Sequence, residues 1–335
     1  MVNGRKQVFS IHHLPFTIYH SFMWRKSTEQ QKRPRVGLAL SGGAARGVAH
    51  VGVLKVLLEA GIAVDSVAGT SAGALVGGAF AAGMSVAELE GLGREMRWRN
   101  FGRMTLSRLG VQSNARMEDF IRERFPVTRF EEMTIPFAAV ATDLHTGQAV
   151  VMRDAGDAAF AIRASCAVPG WYVPVTDAQG RQLVDGGLVA NLPAAAARAL
   201  GPDIVIAVDV NFEGAKFLGP PQSAIGVLIQ SIMVVQRTVS THEGRNADFV
   251  IRPKVGHIRW DEMSRAEELL AAGEEAARAS LADIRALLAP PLEEHQTWIQ
   301  RLLHRPAIDA EPRGNRETAK TPQPGEESKH QASPH

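Results

Sequence analysis

The feature that most constrains the fold of this chain is a pair of glycine-rich turns, each set between a short apolar run and a helical one. The first turn reads SGGAARG over residues 41–47 and follows the apolar run 35–40. The second reads GTSAG over residues 69–73 and follows the run 63–68. Short apolar runs that alternate with helical stretches are typical of a parallel sheet covered by helices. The sequence therefore predicts an α/β fold in which a mainly parallel sheet has helices on both faces.

The rest of the chain continues this alternation. A helix is predicted over residues 47–59, with Gly61 in the position of a C-terminal cap. The sequence SVAE at residues 85–88 matches the capping box that begins another helix. Further strands are predicted over residues 136–142, 148–152, 182–184 and 204–210.

Composition and charge exclude several classes of protein. With 45% hydrophobic and 21% charged residues, the chain has the composition of a folded globular protein. Its 37 Lys and Arg against 35 Asp and Glu give a net charge of +2, which provides no strong field for nucleic acid, so we expect no nucleic-acid partner. The single cysteine, Cys166, excludes an intramolecular disulfide and a thiolate zinc cluster, and we expect it to be a small buried residue.

The two ends of the chain differ from its middle. Residues 1–34 are basic and aromatic, and the histidines and the proline within them argue against a signal peptide. This N-terminal extension is either an anchor to a membrane surface or an extension without such a role. Residues 290–335 collect Pro, Gly, Glu, Lys and Ser and predict a disordered tail. The predicted folded domain is therefore 35–289.

One internal stretch has the length of a membrane span. Residues 66–87 contain no charged residue. Most of them are Ala, Gly, Ser or Thr, which are too weakly apolar for a span. We therefore expect a buried strand and helix here, and a chain without a transmembrane segment.

The second glycine turn matches the nucleophile-elbow pattern G-x-S-x-G, with Ser71 at its centre. That pattern requires a strand before the turn and a helix after it, because the strained turn lifts the serine hydroxyl to the carboxyl edge of the sheet. The predicted elements satisfy this requirement. The alternative is that Ser71 only caps the following helix.

The first glycine turn is suited to an anion. The amides of Gly42, Gly43 and Ala44 can approach a ligand closely, and the start of the following helix adds a partial positive charge. The spacing fits neither a dinucleotide fingerprint nor a phosphate loop. The turn is therefore either an oxyanion hole for a neighbouring nucleophile or a tight connection without a ligand.

A serine nucleophile needs a base, for which the chain offers two kinds of candidate. The downstream histidines are His145, His242 and His257, and each is predicted in a turn, a polar helical stretch or a late loop. Asp185 closes a short strand and is followed by two glycines that permit a tight turn. Asp143 and Asp209 also end predicted strands, but a turn or a cap explains them equally well.

Together these motifs resemble the patatin-like phospholipase family. The glycine-rich loop of residues 42–47, the elbow of residues 69–73 and the D-G-G turn of residues 185–187 occur in the order typical of that family. The stretches 164–170 and 191–193 also resemble it, so the likeness covers about residues 35–290. The resemblance implies a three-layer α/β/α sandwich and a serine–aspartate dyad.

Carried over residue by residue, the resemblance makes Ser71 the nucleophile and Asp185 the base, with Gly42, Gly43 and Ala44 as oxyanion donors. Ala44 stands where the family pattern has a third glycine, a change that the loop should tolerate if the φ of Ala44 stays negative. Arg46 either orients the loop or contacts a lipid phosphate.

The implied function is a serine acyl hydrolase of phospholipase A or lysophospholipase type that cleaves fatty acyl esters and needs no cofactor or metal. Its implied partner is a lipid or acyl-ester substrate, and its implied location is the cytoplasm or the inner face of the membrane. Two alternatives stay open: an α/β-hydrolase esterase with a Ser-Asp-His triad, and a membrane-associated regulatory protein of low activity on the same fold.

Overall fold

The computed structural model describes residues 33–213 and 219–289. Apart from Arg33 and Pro34, the predicted N-terminal extension 1–34 lies outside the described residues, as does the predicted tail 290–335. The strands are β1 Val36–Leu40, β2 Ser66–Thr70, β3 Arg103–Met104, β4 Gly110–Ser113, β5 Phe137–Asp143, β6 Ala149–Arg153, β7 Gly170–Tyr172, β8 Val175–Thr176, β9 Gln182–Asp185, β10 Ile204–Val208 and β11 Phe249–Ile251. The α-helices are α1 Ala49–Glu59, α2 Ala72–Ala81, α3 Val86–Glu95, α4 Ala115–Arg124, α5 Ala158–Ser165, α6 Gly187–Ala190, α7 Ala194–Ala199, α8 Ala224–Glu243 and α9 Ala266–Leu288.

In the described part of the chain the main sheet has eight strands. Their order is β11-β10-β1-β2-β5-β9-β8, and β6 pairs with the other edge of β5. The five strands from β11 to β5 run parallel, whereas β6, β9 and β8 are antiparallel to their neighbours. A second, smaller sheet has the order β3-β4-β7.

Helices cover both faces of the main sheet. Because successive side chains of a strand point to opposite sides, each strand contributes to a core on either face. Leu38, Val67 and Phe137 belong to a large core that also contains apolar side chains of α1, α2 and α9. Ala68 and Ala138 belong to a core on the opposite face, which α7 completes. The mainly parallel sheet and the three-layer α/β/α sandwich are therefore confirmed.

The first elements follow the sequence prediction with shifts at their ends. The first helix begins as a 3₁₀ turn over Ala44–Val48 and continues as α1. The strand predicted over residues 63–68 forms as β2, which begins later, at Ser66, and ends later, at Thr70. The capping box is confirmed, since the Glu88 amide donates to the Ser85 hydroxyl and the Glu88 carboxylate accepts from the Ser85 amide.

The apolar stretch 66–87 folds as expected, with β2 and most of α2 buried in the sandwich. A different segment, Ala224–Asn246, is the one helical stretch of the described residues that is long and apolar enough to cross a membrane. It contains α8, and only 28% of its most apolar window is buried. A long apolar helix at this position was not predicted from the sequence.

Candidate active site

The pairing register of the main sheet brings Ser71 and Asp185 to the same point. The last residue of β2, Thr70, lies opposite Val140 of β5. The next residue of β5, Ala141, lies opposite Asp185 of the antiparallel strand β9. β6 pairs with one edge of β5. β2 and β9 therefore pair with its opposite edge, one after the other along the strand. Ser71 directly follows β2, and Asp185 is the last residue of β9, so the two strands end against each other.

Ser71 adopts the strained backbone of a nucleophile elbow. Its φ of 53° lies in the left-handed region, which is uncommon for a residue with a side chain. The turn is tight, since a Cβ on Gly73 would lie 2.1 Å from the Leu40 carbonyl oxygen. The Ser71 amide donates to the Ser165 hydroxyl over 2.8 Å, and that hydroxyl donates to the Val140 carbonyl over 2.6 Å. Ser165 therefore ties the elbow to β5.

Asp185 is shielded from water, as the proposed chemistry of a carboxylate base requires. Its exposed fraction is 1%. Burial raises the pKa of Asp185 to about 6, against the opposing effects of the Ser71 hydroxyl and the Gly187 amide. The Gly187 amide donates to Asp185 Oδ1 over 2.8 Å, while Oδ2 accepts no hydrogen bond from the described residues. The carboxylate therefore has an oxygen available to take a proton beside Ser71.

The D-G-G turn allows this approach because Gly186 passes directly over β5. A Cβ at Gly186 would lie 2.2 Å from the Val140 carbonyl oxygen. A side chain there would push Asp185 away from the end of β2. The glycine next to the carboxylate therefore has a steric role.

The first glycine loop lies beside Ser71. A Cβ on Gly42 would lie 3.3 Å from the Ser71 Cβ. The Gly42 amide is already used, since it donates to the Asn191 carbonyl over 3.0 Å. The amides of Gly43 and Ala44 have no hydrogen-bond acceptor among the residues that the structure describes. Of the three predicted donors, these two amides are available to a ligand.

Ala44 adopts a backbone conformation that is unusual for an alanine. Its φ is 51°, in the left-handed region, so the condition of a negative φ is not met. The physical reason is that the chain turns directly from the loop into the 3₁₀ turn Ala44–Val48. A left-handed φ costs an ordinary residue about 1–2 kcal/mol, which surrounding contacts must offset.

Two buried side chains on the helix side hold this loop. Arg46 is fully buried and donates from Nε to the Ile258 carbonyl over 2.7 Å and from Nη2 to the Gly256 carbonyl over 3.1 Å. These contacts agree with the loop-orienting alternative. His50 donates from Nε2 to the Ser41 carbonyl over 2.9 Å, and burial lowers the pKa of His50 to about 4, so it is neutral.

Ser71 and Asp185 lie at the base of a largely apolar pocket. Its empty volume is about 570 Å³, counted with its open mouth. Trp98 packs edge-on against Trp260 with ring centroids 5.5 Å apart, and Trp171 packs against the same ring at 6.2 Å. The lining residues are Gly43, Ala44, Ser71, Trp98, Val168, Trp171, Tyr172, Asp185, Asn211, Ile229, Ile232, Met233, Gln236 and Trp260. Such a pocket suits an apolar chain attached to a polar, reactive group.

The candidate histidines lie elsewhere. His145, His242 and His257 are exposed, and none of them lines the pocket. His257 pairs with Glu268, with Nε2 and Oε1 2.7 Å apart. The structure does not bring any of these three rings to Ser71.

The other polar candidates also have local explanations. Asp143 accepts hydrogen bonds from the His145 amide and the Thr146 hydroxyl, as expected of a turn residue. Asp209 is buried and accepts from the Asn211 amide over 2.9 Å. Cys166 is buried as expected, and burial raises the pKa of its thiol. In the described part of the chain no cluster of three His, Cys, Asp or Glu side chains could hold a metal ion.

Sequence reasoning missed several residues of this site. Ser165 and His50 anchor the two turns, yet only downstream histidines were considered as functional candidates. His50 lies four residues after Arg46, a spacing that places both on one side of a helical stretch and could have indicated a shared role. The apolar wall formed by α8 had no sequence signal that distinguished it from an ordinary core helix.

Comparison with known proteins identifies the family. The family model described as patatin-like phospholipase matches residues 38–198. Residues 38–198 belong to the patatin-like phospholipase family. An uncharacterized NTE family protein of Mycobacterium tuberculosis is 38% identical over 194 residues, which cover 57% of this chain and 52% of that protein. A lysophospholipase of Neurospora crassa is 34% identical over 181 residues, covering 52% of this chain and 12% of that protein.

The patatin-like region is thus part of longer proteins among these relatives, since the chain spans at most about half the length of the first curated relatives it matches. Among solved structures, VipD of Legionella pneumophila matches 75% of this chain and 67% of its own chain, with a TM-score of 0.49 and 15% sequence identity.

Proposed function

We propose that this patatin-like chain is a serine acyl hydrolase that cleaves fatty acyl esters of lipids, as a phospholipase A or a lysophospholipase, through a dyad of Ser71 and Asp185. The observation that carries the proposal is a serine on a left-handed elbow beside a buried carboxylate of raised pKa, at the base of an apolar pocket. The family and the lysophospholipase among its relatives agree with a lipid ester as substrate.

The reaction proceeds in two halves. Ser71 Oγ attacks the ester carbonyl carbon while its proton passes to Asp185, and the C–O bond to the alcohol then breaks as Asp185 returns the proton to the leaving oxygen. In the second half, a water molecule gives its proton to Asp185 and attacks the acyl-serine. The fatty acid leaves as the proton returns to Ser71 Oγ.

The negative charge that develops on the carbonyl oxygen needs donors on the loop side. We assign this role to the Gly43 and Ala44 amides, while Gly42 positions the loop through its bond to Asn191. The helix α2 begins one residue after Ser71, so its partial positive charge acts in the same direction.

A substitution at Gly43 tests this oxyanion hole. A Cβ at this position would lie 2.6 Å from Val210 Cγ2, so a side chain forces the loop to shift and moves the donor amide. We expect Gly43→Val to lower kcat for a soluble ester by about 10²- to 10³-fold, the usual effect of losing one donor. Normal turnover by a folded Gly43→Val protein would mean that the loop is only a connector.

The pH dependence follows from the state of the base. Asp185 accepts a proton only when it is ionised, and its pKa is raised to about 6. We therefore expect kcat/KM for a soluble ester to be constant above about pH 7 and to fall roughly tenfold for each pH unit below about 6. A profile measured from pH 4 to 9 checks this. A fall centred near the ordinary aspartate pKa would contradict the assignment of a buried base.

The triad alternative is tested on the histidines. We expect His145→Ala, His242→Ala and His257→Ala to keep most of the activity, because all three rings are exposed and lie outside the pocket. If any one of these variants lost activity as completely as a change at Asp185, that histidine would be the base.

The proposal as a whole is tested with a panel of substrates. We expect the purified chain to react with a fluorophosphonate and to release fatty acid from a phospholipid or a lysophospholipid. A protein that is labelled but hydrolyses no member of the panel would support the regulatory alternative of low activity instead.

A further inference from the structure

Two elements have strongly apolar outer surfaces: α8, which lines the pocket, and the β3–β4 hairpin, which pairs with the pocket-lining strand β7. In the described residues, seven of the eleven exposed large apolar side chains belong to these two elements. They are Met104, Leu106 and Leu109 on the hairpin, and Val227, Leu228, Val234 and Val235 on α8. Single exposed apolar side chains are normal in proteins, but a concentration of them marks an interaction site.

The two groups are continuous in space. A Cβ on Gly170 of β7 would lie 2.4 Å from Leu228 Cδ2, so α8 rests on β7 through Leu228. Gly170 pairs with Gly110 of β4, and Leu109 directly precedes Gly110. We call these seven side chains, together with Arg103 and Arg108, the docking surface.

The charge of this region is uniformly positive. Residues 96–117 contain five arginines and no acidic residue, and Arg237 is the only Lys, Arg, Asp or Glu within residues 219–242. Arg103 and Arg108 are exposed, and neither pairs with a carboxylate in the ranges 33–213 and 219–289. Apolar side chains interleaved with unpaired cations fit a surface of anionic lipid headgroups.

Neighbours of the docking surface also line the pocket. On the hairpin side the pocket is lined by Trp98 and Tyr172, and on the other side by Ile229 and Met233 of α8. The inner face of α8 therefore contacts the pocket while its outer face belongs to the docking surface.

We infer that the docking surface binds an anionic lipid bilayer, with Leu106 and Leu109 inserted among the headgroups and the pocket open toward the membrane. Leu106 lies in the loop of the hairpin and is fully exposed. The inference rests on the proposed function for its biological use. Its test measures binding rather than hydrolysis, so the two can fail separately.

The single cysteine allows a direct test, because Cys166 is buried and a new surface cysteine can be labelled selectively. In the full chain, Leu106→Cys carries an environment-sensitive fluorophore. Leu58→Cys is the control, since Leu58 is an exposed leucine near the end of α1 that does not belong to the docking surface. With vesicles of mixed phosphatidylcholine and phosphatidylglycerol, we expect the emission at residue 106 to shift to shorter wavelength and the emission at residue 58 to stay unchanged.

Charge and apolar contact are separated by two further variants, measured by co-sedimentation with the same vesicles. We expect Leu106→Ser with Leu109→Ser to weaken binding about tenfold or more, and Arg103→Glu to weaken it by a similar factor at low salt. The matched controls are the double variant Leu58→Ser with Leu287→Ser, and the single variant Arg285→Glu. All variants should hydrolyse a short soluble ester as the unchanged chain does.

Two results would overturn the inference. The first is vesicle binding without any spectral change at residue 106, which would place the contact elsewhere in the chain. The second is a spectral change that follows protein concentration instead of vesicle concentration, which would show that a second copy of this chain covers the surface.

Discussion

Ser71→Ala is expected to abolish ester hydrolysis and fluorophosphonate labelling while the protein stays folded. In the proposed mechanism the Ser71 hydroxyl oxygen forms the acyl-enzyme, so we expect kcat to fall by about 10⁶-fold when it is removed, as is typical of a serine nucleophile. The hydroxyl is a small part of a buried turn, and we expect the free energy of unfolding to change by about 1 kcal/mol or less. Steady-state kinetics and chemical denaturation measure the two effects.

Ser66→Ala is the matched control for this experiment. Ser66 is a buried serine on the same strand, β2, and its hydroxyl has no hydrogen-bond partner within the residues that the structure describes. We expect Ser66→Ala to keep full activity and full labelling. Hydrolysis that survives in pure, folded Ser71→Ala would remove this serine from the mechanism.

The elements that follow local rules could be predicted from the sequence. The elbow was predictable because a strand, a glycine turn and a helix occur in succession around Ser71, and each depends on neighbouring residues alone. The capping box at Ser85 is another local pattern, and it forms as predicted. The three-layer arrangement was predictable because alternating strands and helices have few ways to bury both faces of a sheet.

The meeting of Ser71 with Asp185 could not be derived from local patterns. It depends on β9 pairing antiparallel with β5 just beyond the end of β2, on the same edge of β5, so that Ala141 lies opposite Asp185. Strand order and register of this kind are set by long-range pairing, on which turn chemistry and periodicity give no information. Only the resemblance to a known family joined the two residues before the structure did.

The walls of the pocket were hidden for a related reason. The helix α8 is apolar on more than one side, so its sequence does not show whether Ile229 and Met233 or Val227 and Val234 face inward. In the structure the first pair lines the pocket and the second is exposed. Tertiary packing, not periodicity, decides between the two faces.

The loop shows how tertiary contacts override a local preference. An alanine favours negative φ, yet Ala44 is left-handed because the loop is held by bonds to distant residues. The Ala45 amide donates to the Trp260 carbonyl, and Gly42 donates to Asn191. These contacts also explain why only two of the three predicted amides stay available for an oxyanion.

Asp185→Asn is expected to lower kcat for ester hydrolysis by about 10²- to 10⁴-fold, because the amide keeps the shape of the carboxylate but cannot accept the Ser71 proton. The Gly187 amide can still donate to the remaining carbonyl oxygen, so the turn should be retained. Asp209→Asn is the matched control, since Asp209 is also buried and burial also raises its pKa, but it does not line the pocket. Equal losses in the two variants would indicate a general structural effect instead of a missing base.

The same substitution should make the protein more stable, although it lowers the activity. The pKa of Asp185 is raised from 3.8 to about 6 in the folded state, so above pH 6 the folded chain holds an ionised carboxylate that would be better solvated when unfolded. A shift of about 2 pKa units corresponds to about 3 kcal/mol. We therefore expect Asp185→Asn to raise the free energy of unfolding by roughly this amount at pH 8. The gain should shrink as the pH falls from 6, and it should vanish below about pH 4, where both side chains are neutral. Denaturation of both proteins across this range measures the difference, and a gain that is absent at pH 8 would mean that the carboxylate is not buried in its ionised form.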